Sequence, residues 1–219
     1  QFKINVYLST FKLSCFWGSL QLNLVEKNKV NTAIKKFKRN KEIFRLLLEK
    51  NEYKEFHITK DSLIFGNPDA PITFTAFLNF NCIPCQRAYV QLRQLIDNCS
   101  EIKVHAIFSS YNQKISKKMI STLYYLYTKK GPKHALIFLD QWYNTTTRNG
   151  VKKNVDSQFV FSEIHEIIEN ENTKLFEKHK IYRTPSIFIN GYKFPNQYEY
   201  HDTEYFKDEL KLLTREDSP

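Results

Sequence analysis

The sequence predicts an α/β fold from three consecutive segments. The segment "ITFTAFLNF" (72–80) is rich in β-branched and aromatic residues and nearly continuously apolar, which is typical of a strand buried on both faces. A helical stripe of apolar residues follows from Tyr89 to Ile96, and "IKVHAIFSS" (102–110) has the composition of a second strand. The order strand, helix, strand indicates a parallel crossover unit.

The remaining C-terminal elements fit the same class of fold. Three helical patterns occupy roughly residues 112–180 and predict a helical insertion. The segment "TPSIFINGYKF" (184–194) predicts two short strands around Asn190-Gly191, a residue pair typical of type I′ turns. The last pattern, "DTEYFKDELKLL" (202–213), predicts a closing helix.

Residues 1–60 are predicted to form an appendage to a domain that spans residues 61–219. Alternating apolar residues over 11–24 indicate a small hairpin, and helical spacing over 28–51 indicates one amphipathic helix or two short ones. The segment "EYKEFHITKD" (52–61) that follows is predicted to be a linker.

The positive charge of the chain is concentrated in this appendage. Residues 1–60 carry 13 Lys and Arg residues against five Asp and Glu residues, whereas residues 61–219 carry 20 against 18. A basic arm can hold nucleic acid or an anionic membrane surface. A solvated helix face in a lysine-rich chain explains the same charge and is the interpretation we favour. We therefore predict no nucleic-acid partner and keep residues 1–50 as a candidate membrane-surface contact.

The sequence contains no run of about 18 or more apolar residues, so we predict no transmembrane span. Residues 4–25 are the most apolar N-terminal stretch, but polar residues interrupt them and they lack the pattern of a secretory signal. We expect that a targeting element has been removed or lies outside the 219 residues.

Cys82 and Cys85 stand two residues apart at the predicted junction between the first strand and its helix. A zinc site usually combines two such pairs, whereas Cys15 and Cys99 are isolated and no two histidines fall at ligand spacing, so we predict no metal. Packing of two cysteines does not explain Pro84 between them at such a junction. Redox chemistry is the third interpretation.

A redox-active pair has a physical basis at this position. The unpaired N–H groups and the partial positive charge at a helix N-terminus favour a thiolate at Cys82. Pro84 is compatible with the helix because first-turn amides lack a helical partner. Cys85, one turn deeper, would be shielded from solvent and would react second.

Two stretches resemble DsbA-like thioredoxin-fold thiol-disulfide oxidoreductases. "GNPDAPITFTAFLNFNCIPC" (66–85) resembles the start of that family's domain, in which a Gly-x-x-x-Ala-Pro segment leads through the first core strand to a Cys-x-x-Cys motif. "YRTPSIFINGYKFP" (182–195) resembles its second landmark, a threonine before a cis proline and then hairpin strands. The resemblance covers residues 61–219 well, the helix over 28–50 in part, and residues 1–25 hardly at all.

The resemblance implies a thioredoxin-like α/β fold, in which helices flank a central mixed sheet, and thiol-disulfide exchange on proteins. It also implies six site residues: Cys82 and Cys85 for catalysis, Ile83 and Pro84 for modulating the pair, and Thr184 and Pro185 for binding substrate. With Pro185 in cis, an extended substrate segment could pair with the Thr184 backbone beside Cys82. No cofactor is expected, because the two sulfurs carry the electrons.

The resemblance also implies a location and a partner. Residues 41–90 resemble most the soluble thioredoxin-like domain that some bacteria fuse to, or use with, a membrane-embedded vitamin K epoxide reductase homologue. We therefore expect a bacterial, extracytoplasmic (periplasmic) protein, with membrane association as a further expectation. It would exchange disulfides with protein thiols and be reoxidised by the membrane protein. A periplasmic reductase or isomerase and a non-catalytic thioredoxin-fold binding module are the alternatives.

One residue departs from the family pattern. Many relatives place a carboxylate six residues before the first cysteine, where it can take the proton of the second thiol, but this chain has Ala76 there. The proton of Cys85 must then pass to water or to another base. We predict that the two isolated cysteines, Cys15 and Cys99, are unpaired.

Overall fold

The structure is a computed structural model that describes residue 21 and residues 25–110, 114–144 and 163–216. Cys15 and, but for residue 21, the hairpin predicted over 11–24 lie outside these residues.

The centre of the described structure is a sheet of five strands: β1 (Leu63–Gly66), β2 (Ile72–Leu78), β3 (Ile102–Phe108), β4 (Ser186–Ile189) and β5 (Tyr192–Lys193). Their order in the sheet is β1-β3-β2-β4-β5. Strands β2 and β3 are parallel, and the other neighbours are antiparallel. This mixed sheet with flanking helices confirms the predicted α/β thioredoxin-like fold. Strand β1 is not predicted by the sequence; it pairs with β3 and forms one edge of the sheet.

The helices in the described residues are α1 (25–38), α2 (Lys41–Glu49), α3 (Ile83–Asn98), α4 (Lys114–Lys130), α5 (Pro132–Asn144), α6 (Glu163–Lys178) and α7 (Lys207–Glu216), with a 3₁₀ helix over Tyr200–Phe206. The N-terminal helical pattern is two helices rather than one. Asn40 separates them, because its side-chain oxygen accepts a hydrogen bond from the Ile43 N–H at 3.1 Å and caps α2. Helices α4, α5 and α6 are the predicted helical insertion.

Strand β2 is buried on both faces, as its near-continuous apolarity predicts. Phe74, Ala76 and Leu78 enter a large core cluster, whereas Phe77 belongs to a second cluster. Successive side chains of a strand point to opposite faces, so the two clusters lie on opposite sides of the sheet. The sheet is therefore covered on both sides where it carries the candidate site.

Residues of the N-terminal appendage take part in this packing. Phe44 of α2 is 1% exposed and stacks on Phe206, with ring centroids 4.1 Å apart. Beyond α2, the segment predicted to be a linker is held at the sheet edge: the Lys193 N–H donates to the Glu52 carbonyl and the Lys54 N–H to the Gly191 carbonyl, both at 2.8 Å. The domain boundary at residue 60 stays a prediction.

The hairpin between β4 and β5 has the predicted turn. Asn190 has a φ of 47° and Gly191 a φ of 87°, and a type I′ turn requires positive φ at both central residues. The turn brings residues 192–195 back along the start of β4, next to the cysteine pair.

Candidate active site

Cys82 is the N-cap of α3. Its backbone is extended (φ −89°, ψ 116°) and its Sγ accepts a hydrogen bond from the Cys85 N–H at 3.3 Å. Pro84 lies in the first turn, where its missing N–H removes no helical hydrogen bond. The sulfur of Cys82 thus satisfies one of the amides that the helix itself leaves unpaired.

The second predicted landmark lies directly beside this sulfur. The Thr184–Pro185 peptide bond is cis, as predicted. The Cys82 thiol donates to the Thr184 carbonyl oxygen, with 3.2 Å between sulfur and oxygen. Sheet topology explains why residues so far apart in sequence meet: β2 and β4 are antiparallel neighbours, with Phe77 opposite Ser186, so the end of β2 and the start of β4 share one edge.

The two cysteines have different surroundings. Both are thiols in the structure; Cys82 is half-buried and Cys85 is fully buried. Burial raises the pKa of the Cys85 thiol to about 12, and its hydrogen bond with Cys82 acts in the same direction. One sulfur is therefore accessible to a large reactant, and the other is held as a neutral thiol behind it.

Helix α5 of the insertion holds the loop that carries the cysteines. The Trp142 indole N–H donates to the Phe80 carbonyl at 2.8 Å, and the Tyr143 hydroxyl donates to the Asn79 carbonyl at 3.1 Å. Asn79 is itself buried and its side-chain amide donates to the Ser109 carbonyl at 2.8 Å. These contacts fix the path of the chain from β2 into α3.

Sequence reasoning missed Asn79, Trp142 and Tyr143. The available signal was weak: Trp142 is one of only two tryptophans in the chain, and buried Trp and Tyr side chains usually seek a hydrogen-bond partner for their polar atoms. Nothing in the local pattern says that the partner is the loop before Cys82.

An open groove of about 450 Å³ is lined by Pro84, which lies between the two cysteines in the sequence, and by Pro185. The first turns of α3, with Pro84 and the exposed Arg87, form one wall, and Pro185 belongs to the other. Tyr200 also lines the groove; burial raises the pKa of its hydroxyl to about 12, and the nearby charges of Glu199 and Cys85 act in the same direction.

Ala76, which stands where relatives carry an acid, is fully buried in β2 and lies opposite Ala106 and Ile187 in the neighbouring strands. Its methyl group cannot exchange a proton with Cys85. Within the described ranges, no three His, Cys, Asp or Glu side chains come together as a metal site would require. None of the described helices is both long enough and apolar enough to cross a membrane.

A sheet of this topology with a cysteine pair at the N-terminus of its first long core helix defines a thioredoxin-like protein. Residues 58–208 match the thioredoxin family. Because the match spans more than half of the chain, the protein belongs to the thioredoxin family. No curated protein sequence matches the chain.

Solved structures share this fold. The catalytic domain of Proteus mirabilis ScsC is 19% identical, with a TM-score of 0.62 over 71% of this chain and 92% of that chain. A periplasmic thioredoxin-like protein from Salmonella enterica serovar Typhimurium is 13% identical, with a TM-score of 0.60 over 78% of this chain and 97% of that chain. Oxidised BdbD from Bacillus subtilis is 16% identical, with a TM-score of 0.57 over 74% of this chain and 98% of that chain.

Proposed function

We propose that the protein is a thiol-disulfide oxidoreductase that exchanges disulfides with protein substrates through Cys82 and Cys85. The observation that carries the proposal is the position of the Cys82 sulfur: half-buried, at a helix N-terminus, and 3.2 Å from the carbonyl oxygen of Thr184. A sulfur in that position can react while a substrate backbone lies along the Thr184–Pro185 peptide.

In the oxidising direction, a substrate thiolate attacks the Cys82–Cys85 disulfide at Cys82. The bond between the two cysteines breaks, Cys85 leaves as a thiolate and takes a proton, and a mixed disulfide joins Cys82 to the substrate. A second substrate thiol then attacks this bond, so the substrate leaves with a disulfide and the protein keeps the two electrons as two thiols. In the reducing direction Cys82 attacks a substrate disulfide and Cys85 resolves the intermediate.

We further propose the roles of four neighbouring residues. Thr184 and Pro185 would bind substrate, since the Thr184 backbone is adjacent to the reactive sulfur and Pro185 lines the groove. Ile83 and Pro84 would modulate the pair. Ile83 is 59% exposed, so its side chain is available for contact with an apolar substrate segment.

For the physiological direction we propose oxidation outside the cytoplasm, with a membrane protein of the vitamin K epoxide reductase type as the partner that reoxidises the cysteine pair. The resemblance of residues 41–90 to the soluble domain used with such proteins supports this partner. Contact of residues 1–50 with the membrane surface would keep the pair close to it.

Two activity assays on the full chain test the proposal: reduction of insulin and oxidation of reduced ribonuclease. Cys82→Ser should lower both rates by at least about 100-fold, because the attacking sulfur is lost. Cys99→Ser, which changes a buried cysteine outside the site, is the matched control and should keep both rates. Full activity of Cys82→Ser would refute the proposal.

The direction is tested by the reduction potential of the pair. A value near about −120 mV would support oxidation, and one near about −270 mV would support a reductase. A chain that is inactive in both assays yet binds unfolded protein would instead be a thioredoxin-fold binding module.

A further inference from the structure

Helix α1 presents an apolar stripe to solvent. Val30, Ile34 and Phe37 are 57%, 48% and 49% exposed, and their spacing of four and three residues places them on one face. Isolated helices shorter than about 12–15 residues are marginal in water, and most helices gain their stability by packing such a face. The stripe therefore indicates a surface that covers it in the functional state.

Lysines border this stripe on both sides. At about 100° per residue, Lys27 lies on one flank of the stripe and Lys29 on the other, whereas Lys35 and Lys36 both lie on the far side of the helix. Residues 25–40 carry six Lys and Arg residues and one Glu residue. The arrangement is an apolar stripe with a lysine on each flank of a strongly basic helix.

The charge of the helix discriminates between a second copy of the helix and a lipid surface as the cover of the stripe. A second copy of the helix would bring lysines against lysines at the flanking positions, which is unfavourable. An anionic lipid surface has the complementary charge. Lysine stems can lie along the apolar boundary while their ammonium groups reach the headgroups, so the lysines on both flanks would contribute to binding.

The remainder of the structure shows how such contact would hold the domain. Lys38, at the end of α1, lies 3.5 Å from the Asp202 carboxylate, and the Arg39 guanidinium donates to the Tyr205 hydroxyl at 3.3 Å. These contacts connect the end of α1 to the 3₁₀ helix, whose first residue, Tyr200, lines the groove. If α1 binds a membrane, the folded domain would therefore face that membrane with one fixed side.

We infer that α1 is a membrane-surface helix that inserts Val30, Ile34 and Phe37 at the headgroup boundary of an anionic bilayer. The inference names the lipid class and the helix face for the membrane contact in the proposed function, but the binding itself does not depend on activity of the cysteine pair.

Vesicle sedimentation of the full chain tests this inference. Binding to vesicles of phosphatidylcholine with phosphatidylglycerol, but not to phosphatidylcholine alone, is expected, and added salt should weaken it. The double variant Ile34→Ser, Phe37→Ser should bind at least about tenfold more weakly, because apolar area is no longer buried. Leu46→Ser, which removes a 56% exposed leucine from α2, is the control and should bind as the unchanged chain does.

Two charge variants distinguish binding through one helix face from binding that depends on net charge alone. Lys27→Glu and Lys35→Glu change the charge equally, but only Lys27 borders the stripe. Lys27→Glu should weaken binding more than fivefold, from about a fivefold effect for each unit of charge at the surface, and Lys35→Glu should weaken it less. Equal effects of the two variants would contradict a defined helix face.

Three results would overturn the inference. One is equal binding to uncharged vesicles, and another is undiminished binding by the Ile34→Ser, Phe37→Ser variant with unchanged circular dichroism. The third is a stable oligomer, measured by sedimentation equilibrium, that this variant dissociates while vesicles do not bind; the stripe would then join copies of the chain. Cys82→Ser should still bind vesicles and Lys27→Glu should still reduce insulin, so failure of the inference and failure of the proposed function are distinguishable.

Discussion

At the scale of single residues, the two sulfurs of the site differ in their access to water. Cys82 is half-buried and its thiol is hydrogen-bonded to the Thr184 carbonyl oxygen, while Cys85 is fully buried and burial raises its pKa to about 12. Because Ala76 replaces the acid found in many relatives, no carboxylate at that position assists the loss of the Cys85 proton. In the reducing direction, the attack of Cys85 on the mixed disulfide should therefore be the step that is sensitive to pH.

The first prediction concerns this step. If Cys82 is first converted to a mixed disulfide with thionitrobenzoate, release of the dye reports attack by Cys85. The Cys85 thiolate fraction lies far below one at neutral pH, so the release rate should rise about tenfold for each pH unit between about pH 7 and pH 9. Stopped-flow absorbance measures the rate, and Cys85→Ser should release no dye. A rate independent of pH would mean that a neighbouring base takes the proton.

His105 leads to a prediction about acid stability. It is 3% exposed in β3, its Nδ1 atom has no hydrogen-bond partner within the described residues, and burial lowers its pKa from 6.5 to about 4. The unfolded chain binds a proton below about pH 6.5, whereas the folded chain does not until about pH 4. The folded state therefore loses stability as pH falls through this window.

His105→Leu should remove this loss. Relative to the unchanged chain, the variant should gain about 2 kcal/mol in free energy of unfolding on going from about pH 8 to pH 5. Urea denaturation at both pH values measures the change, and His57→Leu, at an exposed histidine, is the control. A His105→Leu variant with the same pH dependence as the unchanged chain would show that the ring is hydrated or protonated in the fold.

At the scale of elements, the β4–β5 turn is fixed by its partner segment as well as by its own residues. A Cβ atom on Gly191 would lie 2.5 Å from a Tyr53 ring carbon and 2.8 Å from the Lys54 carbonyl oxygen. Only a glycine lets residues 53–54 approach the turn so closely. The turn and the N-terminal segment therefore stabilise each other.

Gly191→Ala should be more destabilising than Gly131→Ala, and the difference measures this close approach. Both glycines have positive φ (87° and 91°), but a Cβ on Gly131 meets no atom of the described residues within 4 Å. Gly131→Ala should cost about 1 kcal/mol from backbone strain alone, and Gly191→Ala about 2–4 kcal/mol. Thermal or urea denaturation decides the matter, and equal costs would show that residues 53–54 can move away from the turn freely.

The sequence predicts long elements well and short or partner-dependent ones poorly. Strands β2 and β3 and the insertion helices leave apolar patterns over seven or more residues, so their class is evident. Strand β1 has only four residues, too few to establish a period, and the pairing of residues 52–54 with the β5 hairpin depends on tertiary contact.

The same division applies to the candidate site. The cysteine pair and the Thr184–Pro185 peptide are recognisable because each belongs to a local motif. The anchoring of the Asn79–Phe80 backbone by Trp142 and Tyr143 is not, since it follows from how α5 packs on the sheet.

At the scale of the whole molecule, the question is where the folding unit begins. The predicted boundary at residue 60 separates a basic appendage from the thioredoxin-like domain. Yet Phe44 and Leu48 of α2 belong to the main core cluster, and Glu52 and Lys54 satisfy backbone groups of the β4–β5 hairpin. A chain that starts at residue 61 would expose the aromatic surface of Phe206 and an unpaired sheet edge to water.

We therefore expect a chain of residues 40–219 to unfold at nearly the same temperature as the full chain, and one of residues 61–219 at a clearly lower temperature. Equal melting temperatures for both shortened chains would support a domain that begins at residue 61.

If the shorter chain does not fold, substitutions in the full chain test the same boundary. Phe44→Ala should cost about 3–5 kcal/mol, because it empties a buried aromatic site. Leu46→Ala, on the exposed side of the same helix, should cost less than about 1 kcal/mol. Similar small costs for both would mean that α2 rests on the domain without stabilising it. The membrane-surface helix α1 would then be joined to the domain by a mobile arm rather than by a packed helix, and the site would no longer be held at a fixed side of the bilayer.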